Sequence, residues 1–275
     1  MESRTEARGQ RTGAIDPEVD AARHAIRVLS RPRMTGSPGA AEVELLLRGA
    51  FEEQGYEVRE LPFQFSAWPG RFGVSALGAV TLLGLGTATY ALASGRPGAA
   101  LVALAGVALL AGLAAAFARR AIAELPWGRV EGKNLLAVRP GARPRYLIVA
   151  HRDSKSQPIS TFLRIAAMVL VGFAWCALLT VAAIGSYDTA LISLPLVLSA
   201  GALGSVGGVL LASSVVANAS AGALDNATGL VALLGIARRQ REYGDVAFLV
   251  TDGEELGLAG AWDAARRLPP LAGVI

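Results

Sequence analysis

The stretch Arg145-Tyr146-Leu147-Ile148-Val149-Ala150-His151-Arg152-Asp153-Ser154 decides how this chain is read. Its first part, Arg145 to Ala150, is a short apolar run that reads as a strand buried in a mainly parallel sheet. A cluster of chemically capable side chains follows at the strand's carboxyl end. Working outward, Asn134 to Val138 is a similar run, set off by the turn Arg139-Pro140-Gly141. Val246 to Thr251 is a third strand, and Gly273-Val274-Ile275 begins one more. Helical patterns lie between them at Asn226–Arg239, with Arg238, Arg239 and Arg241 favourable at its C-terminal end, and at Leu256–Arg267. Strand alternating with helix predicts an α/β fold, a mainly parallel sheet flanked by helices.

Upstream, Met1 to Ala14 reads as a disordered tail. Asp16-Pro17-Glu18 opens a helix to about Leu29, with an acid at the N-cap and proline at the first position. Thr35-Gly36-Ser37-Pro38-Gly39 is a turn that caps a second helix, closed by Gly55. Tyr56 to Phe65 partly alternates and reads as a strand.

The sheet pattern is interrupted twice. Val74–Ala93 and Ala99–Phe117 form one pair of apolar runs, and Phe162–Ile184 and Leu191–Ala217 form another. At 1.5 Å per residue, each is long enough to cross a hydrocarbon core of about 30 Å. Gly204 and Gly208, four apart, suit close helix packing in lipid. A phosphate loop is disfavoured, since no Lys-Ser/Thr follows them. The chain therefore divides into a tail (1–15), three pieces of one α/β domain (16–73, 118–161 and 218–275) and two transmembrane hairpins (74–117 and 162–217). Two hairpins return the chain to the side it left. Arg71, Arg119, Arg120, Lys155 and Arg164 flank the spans on that side, and only Arg96 lies opposite, so the positive-inside rule puts the α/β domain in the cytoplasm.

Composition agrees with a bilayer as partner. The chain is 53% hydrophobic and 17% charged, against about 45–50% and 25% in soluble domains. A net charge of +4 without long basic runs disfavours nucleic acid. Cys176 is the one cysteine, which excludes an intrachain disulfide or a cysteine zinc cluster. No cleavable signal peptide is visible in Met1 to Asp20.

Three polar signatures carry the chemistry: His151-Arg152-Asp153, Asp225-Asn226 and Glu254-Glu255. They supply one imidazole and four carboxylates at strand ends or helix starts, where open α/β sheets gather function. Nitrogen and carboxylate oxygen suit Zn²⁺, and a carboxylate can bridge two ions about 3.5–4 Å apart. Singly, each has a plainer explanation: a surface histidine, an N-cap aspartate, first-turn acids at a helix dipole. Jointly, those explanations require three unrelated coincidences.

Leu147-Ile-Val-Ala-His-Arg-Asp-Ser154, Gly222-Ala-Leu-Asp-Asn-Ala-Thr-Gly229 and Phe248-Leu-Val-Thr-Asp-Gly-Glu-Glu-Leu-Gly-Leu-Ala-Gly260 resemble, in order, the two-zinc aminopeptidases of metallopeptidase family twenty-eight, the bacterial leucyl aminopeptidase and glutamate carboxypeptidase type. Arg33-Met-Thr-Gly-Ser-Pro-Gly39 resembles the segment before that family's first long helix. The resemblance implies a zinc exopeptidase-like fold, two zinc ions and a peptide substrate. It implies that His151 binds one zinc, Asp225 bridges both, and Glu255 binds the second. Asp153 then orients the ligands from behind, and Glu254 is the general base on the bridging water. Two departures stand out. The family's further Asp, on the strand from Gly273, and its further His are not in this chain, which reads as truncated; His24 reads as a surface residue. The second departure is the hairpin inserted between Asp153 and Asp225.

The leading expectation is a membrane-bound zinc metallo-aminopeptidase. One rival is a single-zinc cyclase or transferase on the same fold. The other is a catalytically inactive membrane scaffold, which would have no need to keep Glu254 beside Glu255.

Overall fold

A computed structural model describes residues 17–240, 242, 244–269 and 272–274. The expected tail, the Asp16 cap, Arg241 and Ile275 lie outside the described residues. Helix α1 spans Pro17–Leu29 and α2 Pro38–Glu53. The Ser37 hydroxyl caps α2 by accepting from the Ala40 N–H, and Pro38 fills a first-turn position that needs no donor. Gly55, at φ +81°, then turns the chain into strand β1, Glu57–Ser66.

Five strands form one sheet in the order β1-β2-β4-β3-β5, with β2 at Arg129–Val138, β3 at Tyr146–His151, β4 at Val246–Thr251 and β5 at Gly273–Val274. The sheet is mixed, not mainly parallel. β3 pairs in parallel with β4 and β5, but β2 runs antiparallel to both β1 and β4. The expectation failed at β2. It reads as a five-residue buried run because only Leu135–Ala137 pairs with β4, while the polar Arg129–Lys133 half pairs only with β1. An antiparallel pair can leave one face wet, so that half carries no apolar signature.

Helices cover both faces. Leu29 of α1, Val43, Leu47 and Phe51 of α2, and Leu230 and Leu233 of α7 (Thr228–Arg239) pack on Phe248 and Val250. Phe51, Tyr56 and Phe248 make a ring cluster with centroids 5.5–6.0 Å apart. On the other face α8, Ala259–Arg267, sets Ala264 against Ala247 and Leu249. β4 is buried along nearly its whole length, so the most apolar strand lies mid-sheet.

Four helices are long and apolar enough to cross a membrane: α3 (Trp68–Ala93), α4 (Pro97–Glu124), α5 (Thr161–Gly185) and α6 (Leu194–Ala212). They pack into a bundle with its own core around Leu85, Leu92, Leu104, Leu178 and Val197. α6 closes at Ala212, short of the expected Ala217. From there the chain becomes an extended strap whose Ala217 bridges to Ser156. Glycines line α6: a Cβ on Gly204 would meet Leu85 Cδ1 at 2.7 Å, and one on Gly208 would meet Leu82 Cβ at 2.9 Å. Small residues there let backbones approach where no water drives association. Outward, Leu83, Tyr90, Val102 and Phe173 are exposed, a surface that suits hydrocarbon rather than water.

Candidate active site

Parallel register sets the site. His151 at the end of β3 pairs with Thr251 at the end of β4, so the segments after each strand emerge side by side. Asp153 is fully buried, and an ionised carboxylate there needs hydrogen bonds to be tolerated. It has them: Oδ1 accepts from the Glu254 N–H at 3.1 Å and Oδ2 from the Glu255 N–H at 2.9 Å. The loop bearing both glutamates is thus pinned beside the histidine strand.

His151 Nδ1 lies 3.2 Å from the Asp153 carbonyl oxygen, which can only accept, so Nδ1 carries a proton. Nε2 then points outward, 3.0 Å from Asp225 Oδ1 and 3.9 Å from Glu254 Oε2. Burial disfavours the charged ring, but Asp153, Glu254 and Asp225 outweigh it and raise the His151 pKa to about 9. Burial also raises Glu254, reinforced by the charges of Glu255 and Asp153 and opposed by His151 and Lys155.

Asp225 sits in the turn Ala223–Ala227 that precedes α7. It does not cap that helix. Asn226 Oδ1 accepts the Gly229 N–H at 3.0 Å instead, which leaves the Asp225 carboxylate for His151. Nor are Glu254 and Glu255 first-turn acids, since α8 begins only at Ala259, against the expected Leu256. Two of the plainer explanations therefore do not hold.

Glu255 does not face His151 as Asp225 and Glu254 do. Its buried carboxylate takes the Lys155 ammonium at 2.7 Å, and Lys155 also donates to the Glu255 carbonyl. His24 stays exposed on α1. Among the described residues no group of three or more His, Cys, Asp or Glu side chains is gathered to hold a metal ion. The donor chemistry fits one zinc in part. Nε2 of His151 and the Asp225 carboxylate face each other, and the ring is oriented from behind as metal-binding imidazoles are. At Glu255 the Lys155 ammonium occupies the position that a second ion would need.

Three organisers lie inside the motifs quoted above, where no role was read for them. Arg33 is fully buried; it donates to the carbonyls of Arg152, Ala221 and Gly222 and so clamps the His151 and Asp225 segments together. Gly222, at φ +58°, leaves no room for a Cβ between Ser154 and Arg33. Asp252 accepts from Thr35, Arg152 and the Gly253 N–H, and Arg152 also donates to Glu44 at 2.8 Å. The signal was available: an arginine between the histidine and the aspartate, heading inward, required buried carboxylates. Beside Asp225 and Glu255 opens a cleft of about 430 Å³, walled by Lys155, Leu224 and the first turn of α5 at Thr161 and Arg164.

A mixed α/β sheet thus carries an imidazole and several acids at the adjacent ends of β3 and β4. The chain belongs to Peptidase family M28, whose profile matches residues 134–273, about half of its length. Enzymes of that family are generally zinc-dependent. No curated protein matches the chain. Among solved structures it is similar to the glutaminyl cyclase of Fimbriiglobus ruber, with a TM-score of 0.40 and 17% identity. That match covers 90% of this chain and 49% of the cyclase, so the chain spans about half the length of its structural relative.

Proposed function

We propose that this protein is a membrane-bound, zinc-dependent exopeptidase of the aminopeptidase type, acting on peptides presented at the bilayer surface from the cytoplasmic side. The observation that carries the reading is the double grip of Asp153 on the Glu254 and Glu255 N–H groups. It fixes a carboxylate with a raised pKa 3.9 Å from an imidazole that is itself oriented. His151 and Asp225 would hold the ion. Zinc bound there would supply a Lewis acid for the scissile carbonyl and a more acidic water. Glu254 takes the proton from the attacking water and returns it to the leaving amine, work that suits a carboxyl whose pKa is raised. The cleft wall formed by α5 favours substrates already at the membrane.

The test uses the full chain in lipid nanodiscs with zinc, scoring amino acids released from unblocked peptides. Glu254→Gln should lower release by about 10²–10⁴-fold while zinc content stays the same. Unchanged turnover would overturn the assignment.

The Lys155–Glu255 pair favours a second reading, single-zinc cyclisation of an N-terminal glutaminyl residue. A glutaminyl peptide that loses ammonia without being shortened would select it over the peptidase.

A further inference from the structure

The cavity on the far side of the catalytic loop lies where α4 leaves its apolar stretch. It measures about 340 Å³ and is lined by Arg119, Arg120, Trp262 and Arg266, with Glu124 and Asp263 as its acids. Asp263 Oδ1 is engaged by Arg267 at 2.9 Å, while its buried Oδ2 has no partner. None of the three lining arginines has an ion-pair or hydrogen-bond partner among the described residues. Arg119 has only the Trp262 ring, 4.5 Å from its guanidinium, and Arg120 only the Phe117 ring at 6.0 Å. Ring stacking leaves the N–H edge of a guanidinium free, and that edge matches phosphate oxygens.

The surroundings say which phosphate. Leu109, Leu113 and Phe117 lie four apart along α4, all exposed, and the Phe117 ring meets Arg120, which lines the cavity. Trp68 opens α3 and Trp127 follows α4, so with Trp262 three exposed tryptophans mark this end of the bundle. Tryptophan concentrates at headgroup level. We propose that this cavity binds the headgroup phosphate of an anionic phospholipid, with the acyl chains along Leu109, Leu113 and Phe117. Free phosphate shares the headgroup chemistry but has no use for that apolar stripe. The site is independent of the chemistry at His151.

Full-length protein released from membranes would be probed by native mass spectrometry with phosphatidylglycerol, phosphatidylcholine and inorganic phosphate as separate additions. The expected result is retention of phosphatidylglycerol over phosphatidylcholine, undisturbed by inorganic phosphate. Retention should fall about fivefold in Arg266→Gln and about a hundredfold when Arg119, Arg120 and Arg266 are all changed to Gln. A triple Gln variant at Arg27, Arg143 and Arg238 removes equal charge elsewhere and should retain lipid as the unaltered protein does. Equal retention in the two triple variants would overturn the site. Displacement of the lipid by inorganic phosphate would overturn its assignment to a membrane headgroup.

Discussion

Asp153 and Glu255 stand 102 positions apart in sequence and are joined by a 2.9 Å hydrogen bond from the Glu255 N–H to Asp153 Oδ2. Both α5 and α6 are inserted within that interval. The insertion is closed at its base, where the Ser156 N–H donates to the Ala217 carbonyl at 2.7 Å and the Ala217 N–H returns to Ser156 at 3.0 Å. The long apolar hairpin of α5 and α6 thus enters and leaves through one neck without separating Asp153 from the Glu254–Glu255 loop.

Replacing Asp153 by asparagine tests the grip. An amide offers one acceptor oxygen where the carboxylate offers two, so either the Glu254 or the Glu255 N–H loses its partner in a buried place. Such a loss costs about 1–3 kcal/mol, and zinc affinity should fall about 10–100-fold because the ring and loop are no longer held. Thermal unfolding and zinc titration of Asp153→Asn check both effects; an unchanged midpoint would mean that the loop stands without Asp153.

Much of this arrangement was legible in the sequence, for reasons the structure makes plain. The polar clusters follow the β3 and β4 runs, so apolar length alone placed His151 and Glu254 at strand ends. The four long apolar helices were equally visible, because composition and run length alone mark them out. Strand direction was not, since the polar half of β2 pairs on one side only and resembles a loop. Arg33 and Lys155 were missed as partners because no local period links residues brought together by register. Lys155 in particular lies two positions beyond Asp153 and 100 from Glu255, and it read only as a flanking charge.

Acid should weaken the network behind the site. Burial pushes the Glu44 carboxyl up, but hydrogen bonds and charge from Lys133 and Arg152 prevail and hold it below its ordinary value of 4.5. A carboxyl lowered in the folded state stabilises the fold above its unfolded pKa, and that contribution is lost as pH falls through the folded value. The unfolding midpoint should therefore drop below about pH 4.5, and Glu44→Gln should flatten that part of the profile. Removing the other partner is harsher: Asp252→Asn leaves the nearly buried Arg152 short of a counter-charge, at a cost of about 3–5 kcal/mol. A Glu44→Gln profile that still falls as steeply would assign the acid sensitivity elsewhere.

Metal content tests the role of Lys155. Its ammonium neutralises a Glu255 carboxylate that is almost wholly buried. Lys155→Met removes the cation and leaves the carboxylate in need of another. Zinc per chain, measured by elemental analysis after equilibrium dialysis, should rise in Lys155→Met and stay at the original content in Lys155→Arg. Equal zinc in all three proteins would show that Lys155 does not compete with a second ion.

The first turn of α3 meets the Glu254–Leu256 loop without an intervening side chain. A Cβ built on Gly70 would stand 2.6–2.8 Å from the Leu256 backbone, next to Glu255, whereas one on Gly73, a turn later, meets nothing within 4 Å. Backbone cannot yield as a flexible side chain does, so Gly70→Ala must push the helix off the loop or move the loop itself. Displacing a catalytic carboxylate by about 1 Å can cost on the order of a hundredfold in rate. Turnover should fall steeply in Gly70→Ala and hold in Gly73→Ala, two substitutions of equal size three residues apart on the same helix. The ratio of the two rates, taken in nanodiscs at saturating zinc, reads how directly the helical bundle positions Glu254. A ratio near one would mean that the loop is held by Asp153 alone and that α3 serves only as an anchor.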